Sequence, residues 1–480
     1  MVKGSLDSLF SPRSVAVVGV STKGIGLQVG GVNFLHALLH YGFKGNIYPV
    51  NPRGGEVLGL KVYPSIKDIT TPVDYVISAI PLSQILQLIE DCITKKVKAI
   101  HIYTGGFSES GSEEGKRLEE SISFLAHRNG IRILGPNCAG VYCPKAGLSF
   151  SSDFPTEAGS TSLYAQSGGN SVFLTREATQ RGVRFSKVVS YGNACDVNES
   201  DLLEHLATDV DTKVIAIYIE GVKDGRRFSR LLRKTAKEKP VIVLKGGVSE
   251  AGARAASSHT GALASSVEVW DGLLRQASVI RVDTLEELSD MMVTFDQLSL
   301  PAGRRVAILG IGGGATVLAT DCCTRAGLVV PCFPQEIQDT LRNHVQMRGL
   351  GTVLSNPVDL SDQGWDVTYG CAKVILDYDD VDLLIFQLSI DQFPSPFHGR
   401  DSVFNSLIEN IIKVRRETHK PVAVVIHSAT SPDGYHLAFD LKQKCTEAWL
   451  PVYHSLSNAA KAIARFLDYH EHKARMLKQD

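Results

Sequence analysis

Three times in this chain an apolar run ends on a glycine-rich turn and then gives way to helical spacing of apolar residues. Ser14-Val-Ala-Val-Val-Gly-Val20 leads into Ser21-Thr-Lys-Gly-Ile-Gly26, Thr161-Ser-Leu-Tyr-Ala165 into Gln166-Ser-Gly-Gly-Asn170, and Arg305-Val-Ala-Ile-Leu309 into Gly310-Ile-Gly-Gly-Gly-Ala-Thr316. Short continuous apolar runs bounded by turn residues read as strands buried on both faces. Strands joined through helices lie parallel, because the helix supplies the crossover. The repeat therefore predicts an α/β protein of three doubly wound units, the first Rossmann-like. Its 480 residues give room for about three domains. Loop-like stretches at 141–160 and at Leu298-Ser-Leu-Pro-Ala-Gly303 set the expected boundaries, giving domains over 1–145, 155–298 and 303–470.

In open α/β sheets ligands bind beyond the carboxyl ends of the strands. Predicted strands end at Pro81, at Thr104-Gly-Gly-Phe107 and at Gly135-Pro-Asn-Cys-Ala-Gly140, so these turns are candidate contacts. The first glycine turn matches G-x-G-x-x-G only loosely. The second strand runs into Asn46-Ile-Tyr-Pro-Val-Asn-Pro-Arg-Gly-Gly55, without the acidic residue that would hold a ribose hydroxyl. Asn51 and Arg53 suit a phosphate-bearing nucleotide better; an ordinary loop is the alternative. Ser167-Gly-Gly169 at a helix start is either an anion cradle of backbone N–H groups or plain turn chemistry. Glu220 closes the strand Lys213–Ile219. His259 stands in a run of small residues, Lys245 to Ala264, where an imidazole can serve as base, nucleophile or metal ligand.

Composition narrows the field of partners. A formal net charge of -1 offers no global field for nucleic acid or an anionic membrane, and no apolar run reaches a membrane span. Residues 1–7 lack a signal-peptide core. The nine cysteines contain no C-x-x-C pair, so no metal site is expected, and reduced thiols and a cytoplasmic location are.

Several motifs in fixed order carry a family resemblance over nearly the whole chain. They are Val15-Ala-Val-Val-Gly19, Tyr48-Pro-Val-Asn-Pro52, Leu134-Gly-Pro-Asn-Cys-Ala-Gly140, Gln166-Ser-Gly168, Ser190-Tyr-Gly-Asn193, Tyr218 to Phe228, Ser258-His-Thr-Gly-Ala262 and Asn356-Pro-Val-Asp-Leu360. The sequence resembles the alpha part of ADP-forming acetyl-CoA synthetases, NDP-forming acyl-CoA ligases related to succinyl-CoA synthetase. The resemblance implies a Rossmann-like CoA-binding domain followed by two flavodoxin-like ligase-CoA domains. It implies CoA contacts from Gly19, Ser21, Lys23, Asn51, Arg53, Pro81, Tyr103 and Thr104, with Asn137 at the thioester end. Gln166, Ser167 and Gly168 match the phosphate-binding helix start, His259 the phosphorylated histidine, and Glu220 the acid that steadies it. The implied reaction is acyl-CoA, phosphate and ADP giving acid, CoA and ATP, through an acyl phosphate and then phosphohistidine. ADP/ATP and Mg²⁺ would sit on a separate ATP-grasp beta subunit in an α2β2 assembly, since no unassigned segment and no Walker A motif is present here. Two turns depart from the family pattern: Gly310–Thr316 lacks its Asn-Ala-Gly-Gly-Pro-Gly form, and Lys23–Gly26 lacks its proline. Two other readings remain. One is a catalytically inactive CoA- or acyl-CoA-binding regulator of the same fold, against which His259 and Glu220 argue. The other is an NAD-dependent oxidoreductase, against which the missing ribose acid argues.

Overall fold

The computed structural model describes residues 5–21, 30–254, 267–310, 313–345, 353–360, 367–392, 399–476 and 478. Among these the strands form three main sheets. The first contains β1 (Ser14–Val18), β2 (Asn46–Val50), β5 (Tyr75–Ser78), β6 (Ala99–Ile102) and β7 (Arg132–Leu134), in the spatial order β2-β1-β5-β6-β7, all parallel; β3 (Gly55–Val57) and β4 (Leu60–Val62) make a small antiparallel pair beside it. The second contains β8 (Gly140–Tyr142), β9 (Thr161–Ala165), β10 (Phe185–Ser190), β11 (Val214–Ile219), β12 (Val241–Lys245) and β13 (Ile280–Val282), in the order β13-β12-β11-β9-β10-β8. The third contains β14 (Val306–Gly310), β15 (Val358–Asp359), β16 (Leu383–Leu388), β17 (Val422–Ile426) and β18 (Val452–Tyr453), in the order β15-β14-β16-β17-β18.

Each sheet reverses its strand order next to the strand that carries a glycine turn: β1, β9 and β14. That reversal opens a crevice at the carboxyl ends. Alternate residues of β1 face opposite layers, as a pleated strand requires. Val15 and Val17 join one apolar core, Ala16 and Val18 another. The helix Gly31–His40 lays buried Phe34, Leu35 and Leu38 on the first of these. Burial of such side chains contributes about 1.5–3 kcal/mol apiece. No helix among the described residues is long and apolar enough to cross a membrane.

The chain divides into two compact units, residues 1–179 with 184–288, and residues 180–183 with 289–480. The first two sheets share one unit for a visible reason. Residues 191–197 run beside β7: the amides of Asn193, Cys195 and Val197 donate to the carbonyls of Pro136, Gly135 and Ile133 at 3.0, 3.1 and 3.0 Å. Beneath them buried Arg132 meets Asp196 and Asp201, each at 2.8 Å. One apolar core accordingly runs from Val17 through Leu134 to Tyr164 and Ile217. The expectation of wholly parallel sheets fails at one edge. β8 lies antiparallel to β10, within a stretch that reads as loop in the sequence.

Candidate active site

The carboxyl ends of β6, β7, β9 and β10 enclose a cleft of about 900 Å³. Tyr103, Thr104 and Asn137 line it on one side, and Gln166, Ser167 and Gly168 on the other. On the first side the loops are locked together. The Thr104 hydroxyl donates to the Ile80 carbonyl at 2.6 Å, and the Asn137 amide N–H donates to the Thr104 carbonyl at 3.0 Å. Asn137 holds a φ of 59°, a left-handed conformation that asparagine tolerates better than most residues. Below it, His101 Nε2 lies 2.9 Å from the Cys138 carbonyl. A carbonyl can only accept, so Nε2 carries the proton. Burial pulls this histidine down to about 4, and the ring is neutral at physiological pH. The Asn137 side chain itself is half-buried and makes no hydrogen bond to any described residue. Its amide is therefore available to a ligand. The Tyr103 phenol is pushed up by burial, and its ring meets Phe34 edge-on at 5.5 Å.

On the second side Gln166 follows Ala165, the last residue of β9, and the helix Gly168–Gln180 comes next. Ser167 Oγ accepts from the Asn170 N–H at 3.3 Å, and the Ser167 carbonyl from the Ser171 N–H at 3.0 Å. The N–H groups of Gly168 and Gly169, the first of the helix, donate to no described protein group. A Cβ at Gly169 would meet nothing within 4 Å, and both glycines line the cleft. Unpaired amides at a helix N-terminus attract anions. Buried Gln166 does something different. Its Oε1 accepts from the N–H of Glu220 at 2.8 Å and of Gly221 at 3.1 Å, tying the end of β11 to the end of β9. Glu220 is 9% exposed, and its Oε1 accepts from the Tyr218 hydroxyl at 3.1 Å. Burial first, and then the Glu220 charge, push that phenol well up. Lys245, where the small-residue run begins, is lowered by burial, against which the Glu220 charge works. His259 and Lys23 lie outside the described residues.

The remaining predicted contacts are not in this cleft. Gly19, Ser21, Asn51, Arg53 and Pro81 follow β1, β2 and β5 in the same sheet. Gly19 has φ +97°, and a Cβ there would come within 2.4 Å of the Ala79 carbonyl oxygen, so only glycine lets these strand ends close up. Asn51 is engaged by the protein: its Nδ2 donates to the Val20 carbonyl at 2.7 Å, and its Oδ1 accepts from the Arg53 N–H at 3.0 Å. Its amide shapes the turn that presents exposed Arg53.

Residues 13–144 match a CoA-binding domain family, and residues 158–295 the succinyl-CoA ligase-like flavodoxin domain family. The ADP-forming acetate–CoA ligase II subunit alpha of Pyrococcus furiosus is 39% identical over 384 residues, 79% of this chain and 81% of that one; the corresponding ligase I subunit alpha is 40% identical over 74% of this chain and 77% of that one. The chain belongs to the family of ADP-forming acyl-CoA ligase alpha subunits. It is an acid–thiol ligase by kinship. Its fold agrees with a solved dinucleotide-forming acetyl-coenzyme A synthetase 1 from Candidatus Korarchaeum cryptofilum, in complex with phosphate and ADP, at TM-score 0.81 and 30% identity over 99% of both chains.

For a ligase of this family the cleft adds residues that sequence reasoning missed. Phe34, Phe150 and Val172 give it apolar wall, and Arg176, paired with Asp153 at 2.7 Å, gives it a charged one. Asn193 also faces it. Only Asn193 stood in a motif, Ser190-Tyr-Gly-Asn193, that could have drawn attention to it. Among the described residues no group of three or more His, Cys, Asp and Glu side chains could hold a metal ion.

Proposed function

We propose that this chain is the alpha subunit of an ADP-forming acyl-CoA synthetase, running acyl-CoA + phosphate + ADP = carboxylic acid + CoA + ATP in either direction. The observation that carries the reading is the cleft lined both by Asn137, whose side-chain amide has no hydrogen-bond partner among the described residues, and by the helix start at Ser167–Gly169. CoA would lie along the carboxyl ends of the first sheet, past Gly19, Ser21, Lys23, Asn51, Arg53, Pro81, Tyr103 and Thr104, with its thioester at Asn137. Phosphate at the helix start would attack the thioester carbonyl, and the thiolate would leave. The backbone N–H groups of Gly168 and Gly169 would hold the phosphate charge, which such preorganised dipoles do without reorganising. His259 would then take the phosphoryl group from the acyl phosphate, releasing the carboxylate, with Glu220 orienting its ring. The phosphohistidine would deliver the group to ADP. ADP/ATP and Mg²⁺ would bind an ATP-grasp beta subunit in an α2β2 assembly. The nine free thiols suit a reducing, cytoplasmic setting.

The test is to mix the purified chain with its beta partner, acetyl-CoA, phosphate and ADP, and to measure ATP. ATP should form, and His259→Ala should abolish it while CoA binding persists. Intact mass after incubation with ATP and beta subunit should show one acid-labile phosphoryl group. A His259→Ala variant with an unchanged rate would remove the carrier role.

A further inference from the structure

The turn after β10 holds both loops of the thioester side. Asn193 is 1% exposed, and its side-chain nitrogen carries two N–H groups, each of which meets a carboxylate: Glu109 Oε2 at 2.5 Å and Glu119 Oε2 at 2.8 Å. Those carboxylates hold the loop that follows Thr104. Glu109 Oε1 accepts from the Gly106 N–H at 2.6 Å, and Glu119 Oε2 from the Ser108 hydroxyl at 2.7 Å. The Asn193 backbone N–H meanwhile donates to Pro136, beside Asn137. Next to it Gly192 has φ +56°, and a Cβ there would sit 2.2 Å from the Pro136 carbonyl oxygen and 2.5 Å from that of Asn137. The turn is anchored in turn to the phosphate side. The Tyr191 N–H donates to the carbonyl of Ala165, the residue before Gln166, while Ser190 Oγ accepts from the Ala139 N–H of the thioester side at 3.0 Å.

The turn 190–193 thus joins the loop after Thr104, the Asn137 turn and the end of β9, and Asn193 itself makes the first two of these links. We infer that it is a positioning residue, which sets the distance between the thioester end of CoA and the phosphate and so governs the acyl-transfer step rather than the binding of either ligand. The inference rests on the proposed function. A double donor satisfies both carboxylates at once. An aspartate would put a third negative charge there, and an alanine would leave the carboxylates facing each other across a gap.

The experiment uses the full chain with its partner subunit. Asn193→Asp should lower kcat for phosphate-dependent acyl-CoA cleavage about 100-fold, the scale of a misplacement near 1 Å. KM for acyl-CoA and for phosphate, and CoA affinity of the chain by calorimetry, should each stay within about threefold of wild type. The exchanged pair Asn193→Asp with Glu109→Gln restores a donor facing an acceptor and should recover kcat by about tenfold or more. An Asn193→Asp kcat within about threefold of wild type would overturn the inference, as would kcat falling only in step with CoA affinity and melting temperature. Wild-type protein that makes no ATP would overturn the proposed function and this inference with it. Active wild type with an unaffected variant would overturn the inference alone.

Discussion

Asn137 in the first unit and Asn356 in the second are a natural pair. Each stands next to a proline with a left-handed backbone, φ 59° and 67°. Asn137 follows β7 in Gly-Pro-Asn, and Asn356 precedes β15 in Asn-Pro-Val. Their amides have opposite fates. Asn356 Oδ1 accepts from the Ile308 N–H at 3.0 Å, while its Nδ2 donates to the carbonyls of Val306 at 3.2 Å and Pro331 at 2.8 Å. β15 is two residues long and meets β14 only at Leu309 and Gly310, so the amide of Asn356 takes a strand's place at the Val306 carbonyl and the Ile308 N–H. The Asn137 side chain has no such duty. The difference teaches that a motif asparagine is structural where the surrounding backbone needs its donors and acceptor, and available for chemistry where the backbone is already satisfied.

The comparison can be broken in four ways. Asn356→Ala should cost the most, about 4 kcal/mol in chemical denaturation, since it strands buried backbone groups. CoA affinity should not change, and a stable variant would remove the structural assignment. Asn137→Ala should do the reverse, cutting ATP formation about 100-fold with little change in melting temperature, since nothing in the protein leans on its amide. A large fall in melting temperature would place Asn137 with Asn356. Third is His101 beneath Asn137. Its folded value of about 4 lies below the ordinary unfolded value, so the unfolded chain takes the proton first, and stability is lost as pH falls through that window. Between pH 7.5 and 5 this one group should remove about 2 kcal/mol, a component absent from His101→Gln in matched denaturation curves. Equal pH dependence in both proteins would refute it. The smallest effect concerns Thr104, whose hydroxyl is already taken by the Ile80 carbonyl. Thr104→Val should cost about 1 kcal/mol of stability and little CoA affinity. A marked loss of CoA binding at unchanged stability would show that an engaged side chain can still serve the ligand.

What was legible in the sequence follows from distance along the chain. The strands ending at Val18, Ala165 and Gly310 were visible because continuous apolar runs and the turns after them are local signals. Gly140–Tyr142 was not: three residues carry no period, and its antiparallel partner begins 43 residues later, at Phe185. The cleft's residue types were also legible, but not their duties. Gln166 reads as a phosphate contact, yet its carbonyl oxygen is tied to Glu220 and Gly221, 54 and 55 residues on. Asn193 could not have been assigned a role, because its carboxylate partners lie 84 and 74 residues away. Resemblance pointed to its motif, and only the fold says what the motif holds.

The segment 191–197 has a practical meaning for anyone dissecting this protein. It covers the outer strand of the first sheet, whose unpaired peptide groups would otherwise recruit another chain. A fragment cut between residues 144 and 158 would uncover that rim and leave the Arg132 guanidinium without the aspartates that neutralise it. Such a fragment should clump on expression, however well its own hydrophobic layers close, and a fusion design that retains the chain through Asp201 would avoid this.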